Sequence, residues 1–463
     1  MKALLASVAL IAFSNTATAA EPKSKWDAKG REIFENAVAI PSVSTRPEEV
    51  KKLVAYLKSE FEKGGFTDIT VKDYDQRQAL IVRWKAEAPS KAPQKPILLL
   101  GHMDVVDAKR EDWNLDPFKL TEKDGYLYGR GTIDMKNGIT AITNALLWLK
   151  AEGFKPKRDI IVLFTGDEET LGEGARLGAT EWRNLTDAEY ALNADAGGCA
   201  FDKAGTALGC GLQTSEKMYQ DYTLTVRNPG GHSSQPRPDN AIYELATGLK
   251  KLEAHRFTPA LNETTRAYFE FRQKHEKGPL GDAMRRWLKD ANDGAAADVI
   301  EATPGEIGST RTRCVATRLE GGHANNALPQ LARATVNCRI LPGITADAVK
   351  AELQDAVGPG VAVDFLGTSD PSPASPLRKD VTDAYAAALG KHQKNVEIVP
   401  TMSQGATDGL FFRSTGMPVY GVDGAWIVIP DDERAHGQDE RIPVKAFYDN
   451  LEHWHDMFKT LAG

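Results

Sequence analysis

The most regular feature of the chain is a pair of short apolar runs in its first half. Residues 97–100 and 160–164 are apolar without alternation, and polar residues follow the runs at His102 and Asp167. Such runs are typical of parallel strands that are buried on both faces of a sheet. Because ligands of open α/β sheets bind beyond the carboxyl ends of these strands, the pattern predicts a site at that edge.

Helical spacing of apolar residues surrounds these two runs. It occurs over residues 25–40 and 48–64, and it returns after Asp134, where Ile139 and Ile142 fall on one face. Apolar residues three and four positions apart form the stripe with which an amphipathic helix packs on a core. The first half of the chain is therefore predicted to be an α/β domain whose sheet is flanked by helices.

The order of elements changes past the middle of the chain, which is too long for one ordinary core. Residues 214–368 predict strand, helix, two strands, helix and strand, interrupted by an insertion at about 256–311. That order is the split βαβ arrangement of a ferredoxin-like α+β domain. We therefore predict a large domain in two parts, residues 21–213 and 369–463, with a small domain inserted between them.

The first twenty residues have the pattern of a signal peptide rather than of a folded segment. Lys2 is followed by an apolar run at residues 4–13 and by small residues at 17–20. The apolar run is too short to span a bilayer, and small residues after it are typical of a cleavage site. We expect residues 1–20 to be removed on export, which leaves a periplasmic or secreted protein without a membrane anchor.

Composition narrows the class of partner. The 463 residues carry a formal net charge of −7, and the sequence has an isoelectric point near 5.8. Surfaces that bind nucleic acids carry a basic excess or a basic stripe, and neither is visible in the sequence. We therefore exclude a nucleic-acid partner and expect a small-molecule substrate.

The four cysteines are too few for a scaffold that depends on disulfides, but an oxidising compartment permits them to pair. Cys199 and Cys210 flank a short connection that contains glycine and is compatible with a hairpin. Cys314 and Cys338 lie in two strand-like runs that can be neighbours. We hypothesise these two pairings, and unpaired buried cysteines are the alternative.

Two weak metal-binding signals stand beside the predicted strands. His102 and Asp104 are separated by one residue, so on an extended backbone both side chains point the same way. One of them can bind a metal while the other hydrogen-bonds the far ring nitrogen and fixes its tautomer. Asp134 precedes a helix, where an aspartate is usually only a cap. Neither signal identifies a site by itself.

Three adjacent acids at Asp167, Glu168 and Glu169 are a stronger signal. Their mutual repulsion would raise their pKa values unless a cation or hydrogen-bond donors neutralised them, although a solvated acidic loop remains the alternative. Of two adjacent glutamates, one can bind a metal while the other takes a proton from water. Asp195 and His436 would complete a site with two metals.

Taken together and in this order, the motifs resemble the co-catalytic zinc metallopeptidase family of glutamate carboxypeptidase, aminoacylase, succinyl-diaminopimelate desuccinylase and various dipeptidases. The resemblance covers nearly the whole chain after residue 20. It implies a zinc-exopeptidase-like mixed sheet flanked by helices, with an inserted ferredoxin-like α+β lid or dimerisation domain. The motifs are His102-Met103-Asp104, Gly129-Arg130-Gly131-Thr132-Ile133-Asp134, Glu168-Glu169, Asn193-Ala194-Asp195, Gly230-Gly231-His232, Asn326-Ala327-Leu328-Pro329 and Ala435-His436-Gly437.

The resemblance implies a site for two zinc ions, and cobalt or manganese can occupy sites of this kind. Asp134 would bridge the two ions. His102 and Asp195 would complete the ligands of one ion, and Glu169 and His436 those of the other.

It also implies roles beyond the ligands. Asp104 would orient His102, and Glu168 would be the general base. His232 would reach the partner's site in a homodimer formed through the inserted domain and stabilise the oxyanion, although an exposed turn histidine is the alternative. Three residues would contact substrate, namely Arg339 at its carboxylate, for which a surface ion pair is the alternative, and Asn326 and Gly405.

Three departures from the family pattern mean that the motifs do not determine the substrate preference. Asp107 stands where proline is common, Asn337 where an acid is common, and Ala406 follows Gly405 where a second glycine is common. We expect a zinc-dependent carboxypeptidase or dipeptidase that cleaves small peptides or N-acyl amino acids with a free carboxylate. An aminoacylase-like deacylase is the first alternative. A peptide-binding protein without turnover is the second, and it would be expected to lack the base or a ligand.

Overall fold

The computed structural model describes residues 22–88, 94–394 and 397–463. The predicted signal peptide, residues 1–20, lies outside these ranges. In the described ranges the strands are β1 (Ile69–Tyr74), β2 (Arg77–Trp84), β3 (Ile97–His102), β4 (Thr121–Lys123), β5 (Tyr126–Tyr128), β6 (Ile160–Thr165), β7 (Tyr190–Phe201), β8 (Ala207–Glu216), β9 (Met218–Arg227), β10 (Gly231–His232), β11 (Arg313–Gly321), β12 (Ala327–Leu328), β13 (Leu331–Ile340), β14 (Ala362–Leu366), β15 (Ile398–Ser403), β16 (Val419–Val428) and β17 (Arg441–Pro443).

Helices connect most of these strands. They are α1 (Lys25–Ala39), α2 (Pro47–Lys63), α3 (Lys136–Ala151), α4 (Glu173–Ala179), α5 (Arg183–Thr186), α6 (Ala241–Ala254), α7 (Glu263–His275), α8 (Gly278–Lys289), α9 (Gly294–Glu301), α10 (Ala346–Val357), α11 (Lys379–Leu389), α12 (Gly409–Ser414) and α13 (Val444–Ala462). None of the helices in the described ranges combines the length and the apolar character needed to cross a bilayer.

The large sheet has eight strands in the order β1-β2-β6-β3-β7-β16-β8-β15. β3 is parallel to β6 and β7, whereas β2 is antiparallel to β6, so the sheet is mixed. All six residues of β3 and all six of β6 are buried. The two apolar runs are thus central strands covered on both faces, which explains why they lack alternation. The predicted fold class is confirmed.

The second sheet is antiparallel, with the strand order β11-β13-β9-β14. Its β9 alternates buried residues, such as Tyr222 and Leu224, with more accessible ones, because α6 and α10 cover only one face. The insertion predicted at about 256–311 contains α7, α8 and α9 around a small core that includes Phe269 and Trp287. The domain boundaries drawn from the sequence stay a prediction.

Both hypothesised disulfides are present. Cys199 bonds to Cys210, and Cys314 bonds to Cys338. Each pair lies at directly opposed positions of two antiparallel strands, β7 with β8 and β11 with β13. The strand register therefore brings the four cysteines together in the two predicted pairs.

Candidate metal centre and substrate cleft

The predicted ligands converge at one edge of the large sheet. β3, β6 and β7 are neighbouring parallel strands, and the predicted ligands that they carry lie at or beyond the carboxyl ends of β3 and β6 and, in β7, just beyond the segment that pairs with β3. The remaining residues arrive on two turns, one before α3 and one before β17. In this way the chain brings together His102, Asp134, Glu168, Glu169, Asp195 and His436.

Two groups of three side chains have the spacing of metal ligands. In the first, His102 Nε2 lies 3.1 Å from Asp134 Oδ1 and 3.4 Å from Asp195 Oδ1. In the second, His436 Nε2 lies 3.0 Å from both Asp134 Oδ2 and Glu169 Oε2. Asp134 belongs to both groups and presents a different oxygen to each. That is the geometry a bridging carboxylate requires.

The orientation of His102 comes from the main chain. The one-residue spacing predicts that the Asp104 carboxylate holds the imidazole, but His102 Nδ1 donates to the Asp104 carbonyl oxygen at 2.9 Å, and Asp104 Oδ1 is 3.6 Å away. The carboxylate accepts hydrogen bonds from Ser44 Oγ at 2.8 Å and from the backbone N–H groups of Glu168 and Glu169 at 3.1 and 3.2 Å. Asp104 therefore orients His102 through its carbonyl and holds the glutamate turn through its side chain.

Burial shapes the electrostatics of the site. It raises the pKa of the Asp195 carboxyl to about 6 and that of the Asp104 carboxyl to about 6. It also raises the pKa of Glu168 well above the usual glutamate range, and the charge of Asp195 adds to this effect. Hydrogen bonds to Asp134 and Glu169 raise the pKa of His436 to about 10. A cation bound here would favour the deprotonated form of each of these groups, because metal ligands bind without their protons.

The donor set fits a pair of divalent cations. It consists of two imidazoles and three carboxylates, which are the nitrogen and oxygen ligands that zinc, cobalt and manganese accept. Because His102 Nδ1 donates to a carbonyl, its Nε2 is left to face Asp134 and Asp195 as a ligand. Glu169 Oε1 is buried and has no hydrogen-bond partner among the described residues. A buried carboxylate oxygen without a donor is expected where a cation binds.

A cleft of about 740 Å³ opens beside these residues. Glu168, Glu169 and His436 line one side of it, and Arg339 and Tyr219 line another. Gly405 also lines the cleft. The small sheet therefore contributes residues to the same space as the predicted ligands, and Arg339 and Gly405 both border that space.

His232 and Asn326 lie elsewhere. Both are exposed, and they adjoin each other because β10 pairs with β12 and Ser233 N donates to the Asn326 carbonyl oxygen at 3.1 Å. Neither of them is among the described residues that line the cleft of their own chain. The structure therefore does not place these two residues beside the predicted ligands of their own chain.

Sequence reasoning missed two buried carboxyl groups near the site. Glu440 accepts hydrogen bonds from the backbone of the Asp134 turn. Asp408 lines the cleft and accepts a hydrogen bond from Thr165, and burial raises the pKa of its carboxyl well above the usual range. The only signal for Glu440 was its place four residues after His436, and the only signal for Asp408 was its place three residues after Gly405.

Two histidines near the C-terminus, His453 and His455, have structural roles in α13. His453 is fully buried in α13 and its Nε2 donates to the Val422 carbonyl oxygen at 2.9 Å. Burial lowers the pKa of this imidazole to about 4. His455 pairs with Glu152 and stacks on Trp148. Both histidines therefore stabilise the packing of α13 on its neighbours.

Comparison with known proteins gives the family. The sequence model described as Peptidase family M20/M25/M40 matches residues 98–460. The chain belongs to this peptidase family. An N-fatty-acyl-amino acid synthase/hydrolase, PM20D1.1, from Danio rerio is 30% identical over 372 residues, which is 76% of this chain and 70% of that protein. The M20 chain is accordingly a hydrolase that acts on peptide or amide bonds.

Solved structures share the M20 fold. A metallo-carboxypeptidase of the M20 family, Sso-CP2 from Sulfolobus solfataricus, has a TM-score of 0.68 and 18% identity, covering 93% of this chain and 98% of that one. YXEP from Bacillus subtilis, described as a dinuclear metal binding peptidase from the M20 family, has a TM-score of 0.59 and 13% identity, covering 94% and 98%. The suspected resemblance is thus confirmed as family membership, and the protein is a metal-binding hydrolase.

Proposed function

We propose that the protein is a zinc-dependent exopeptidase, a carboxypeptidase or dipeptidase, that cleaves an amide bond next to a free carboxylate. The observation that carries this proposal is the sharing of Asp134 between two ligand groups on one side of a cleft, with the guanidinium of Arg339 on another. The first arrangement suits amide hydrolysis. The second suits a substrate that ends in a carboxylate.

In this proposal His102, Asp134 and Asp195 would hold one zinc ion, and Asp134, Glu169 and His436 would hold the other. When bound, a pair of divalent cations supplies Lewis acidity, which lowers the pKa of water and polarises a carbonyl group. The protein's contribution is to hold five side chains in place before substrate arrives. Asp104 holds the turn on which Glu169 stands through the Glu169 backbone N–H.

Glu168 is the proposed general base. Its Oε2 lies 3.9 Å from His102 Nε2, inside the cleft but outside both ligand groups. A carboxylate in this position takes a proton from the attacking water and returns it to the leaving amine. Because burial raises the pKa of Glu168, the carboxyl holds that proton more readily than an exposed glutamate does.

Arg339 is the proposed site for the substrate carboxylate. It lines the cleft, and no ion pair joins it to any described residue, which leaves its guanidinium available for a ligand. The guanidinium carbon lies 4.8 Å from the centre of the Tyr219 ring, and this contact restrains the side chain. A planar donor fork matches the two oxygens of a carboxylate. Gly405, whose Cα borders the same cleft, leaves room for the substrate backbone.

A homodimer accounts for His232 and Asn326. Because both residues are exposed and lie away from the cleft of their own chain, we propose that they act in the cleft of a second copy, where His232 stabilises the oxyanion. Chains with Glu168→Gln and chains with His232→Ala are each expected to be nearly inactive. Refolded together in equal amounts, they should recover about a quarter of the parental activity, since half of the dimers are mixed and one of their two sites is intact. A mixture that stays as inactive as its parts would contradict the exchange of His232 between chains.

A deacylase acting on N-acyl amino acids is the second candidate. It is favoured by the 30% identity to a relative named as an N-fatty-acyl-amino acid synthase/hydrolase. The cleft also has an apolar side, formed by Leu171, Leu410 and Phe411, and Leu171 is 70% exposed. An exposed apolar wall stabilises an acyl chain by burial. Both proposals include export directed by the predicted signal peptide at residues 1–20.

The test is a substrate panel with metal restoration. The protein without residues 1–20 is stripped of metal with a chelator and assayed with dipeptides, longer peptides and N-acyl amino acids before and after addition of Zn²⁺. We expect no turnover before addition and preferential cleavage of short peptides afterwards. Cleavage of N-acyl amino acids alone would favour the deacylase, and full activity of the stripped protein would contradict the two-zinc proposal.

A further inference from the structure

A buried glutamate joins the two turns that carry Asp134 and His436. We infer that Glu440 is a positioning residue that fixes the backbone of Asp134 relative to His436. It thereby sets the place of the carboxylate that the two proposed cation sites share. This inference rests on the ligand roles proposed above, and it assigns to Glu440 no contact with substrate or cation.

Four hydrogen bonds surround the Glu440 carboxylate, which is fully buried. Its Oε1 accepts from the backbone N–H groups of Ile133 at 2.7 Å and Asp134 at 3.1 Å. Its Oε2 accepts from the backbone N–H of Gly131 at 3.0 Å and from Arg130 Nη1 at 2.6 Å. Three of these donors belong to the turn that ends at Asp134, so the carboxylate fixes the path of that turn.

All four partners donate hydrogen bonds, so the side chain that fits must accept at both of its terminal atoms. An ionised carboxylate has only acceptors and satisfies every one of them. A glutamine would direct its own N–H₂ group at one pair of donors, and those donors would then be buried without an acceptor. An aspartate would keep the charge, but its shorter side chain could not reach the whole turn.

The other end of the connection is the turn from His436 to Glu440. His436 stands four residues before Glu440. The backbone of Glu440 accepts a hydrogen bond from Gly129 N at 3.0 Å, and the Gly437 carbonyl oxygen accepts one from Arg130 Nη2 at 3.2 Å. The two turns are therefore fastened to each other by main-chain and side-chain contacts, although about 300 residues separate them in sequence.

The contacts of Glu440 determine where the Asp134 carboxylate lies. Asp134 Oδ1 and Oδ2 lie 3.1 and 3.0 Å from the Nε2 atoms of His102 and His436. A shift of the Asp134 backbone by a few tenths of an ångström alters both distances together. Groups that hold ligands without touching the metal affect metal affinity by about 10–100-fold when they are replaced. Glu440 has the contacts of such a group.

Glu301 provides a matched control elsewhere in the chain. It is also a buried glutamate that accepts from two backbone N–H groups of a turn, Gly308 at 2.7 Å and Thr310 at 2.9 Å, and it pairs with Arg313 at 3.0 Å. The turn that it holds carries none of the proposed ligands. Glu301→Gln therefore makes the same chemical change without touching the metal centre.

The experiment compares Glu440→Gln, Glu440→Asp and Glu301→Gln with the parent. Each metal-free protein is titrated with Zn²⁺ against a chromophoric chelator, and the absorption spectrum of the Co²⁺ form reports the ligand geometry. We expect both Glu440 variants to bind Zn²⁺ about 10–100-fold more weakly and to change the Co²⁺ spectrum. Glu301→Gln should match the parent in both measurements, although its unfolding temperature falls.

The outcomes separate this inference from the proposed function. If the parent binds fewer than two Zn²⁺ ions, or if His436→Ala binds Zn²⁺ as the parent does, the proposed ligand set fails. If that set holds and both Glu440 variants bind Zn²⁺ with parental affinity, only the positioning role fails. Circular dichroism of the metal-free proteins monitors folding, and a failure of both Glu440 variants to fold would also overturn a role confined to positioning.

Discussion

Replacement of Glu168 with glutamine is expected to lower kcat by about 10²–10⁴-fold while both Zn²⁺ ions stay bound. The magnitude is that of a general base removed from its reaction. Glutamine keeps the size of the side chain and its place in the cleft, but it cannot accept a proton from water. Because Glu168 belongs to neither ligand group, the affinity for Zn²⁺ should not change.

Glu173→Gln is the matched control for this substitution. Glu173 also lines the cleft, but it pairs with Arg176 at 2.5 and 2.7 Å and lies outside both ligand groups. It should retain parental kcat. Steady-state kinetics and zinc analysis of both variants are the measurements. Parental kcat in Glu168→Gln would show that Glu168 is not the base, and loss of a Zn²⁺ ion from this variant would show that Glu168 takes part in holding metal.

The central strands and the ligands on them could be predicted because each produces a recognisable pattern in the local sequence. β3 and β6 are buried at every position, so their sequences are apolar throughout and end abruptly at polar residues. Strand ends that meet at one sheet edge bring His102 and Glu168 close together, whatever the course of the loops. The local pattern and the tertiary arrangement therefore agree in this part of the chain.

The atoms that perform each task could not be predicted in the same way. The spacing of His102 and Asp104 shows that the two residues are neighbours, but it does not say whether the carboxylate or the carbonyl group faces the imidazole. Glu440 was not predicted because three of its four partners are backbone N–H groups about 300 residues away, and any residue except proline carries such a group. Contacts of this kind follow from the fold and not from residue types.

The disulfides are another feature that the sequence alone could not decide. The sequence left Cys199, Cys210, Cys314 and Cys338 open between paired and unpaired states. The strand register decides the matter, because opposed positions on antiparallel strands bring Cβ atoms close together. His232 illustrates a further limit, since its proposed role depends on a second copy of the chain and no single chain can reveal it.

Arg339→Met is expected to lower kcat/KM by about 10²-fold for substrates with a free carboxylate. Two hydrogen bonds to a charged partner, at about 1.5 kcal/mol each, amount to about 3 kcal/mol. Arg339→Lys should recover only part of this, because an ammonium group cannot reproduce the planar fork. Arg333→Met is the matched control, since Arg333 lies on the same strand, β13, but is exposed and lies outside the cleft.

The decisive measurement uses a substrate whose carboxylate is replaced by a carboxamide. Parent and Arg339→Met should cleave the carboxamide at equal, low rates, because the interaction that the substitution removes is already absent. Comparing both proteins on both substrates separates the contact between guanidinium and carboxylate from any general effect of the substitution on the cleft. An equal loss on both substrates would mean that Arg339 acts on the shape of the cleft, for example through its contact with Tyr219, and not on the substrate charge.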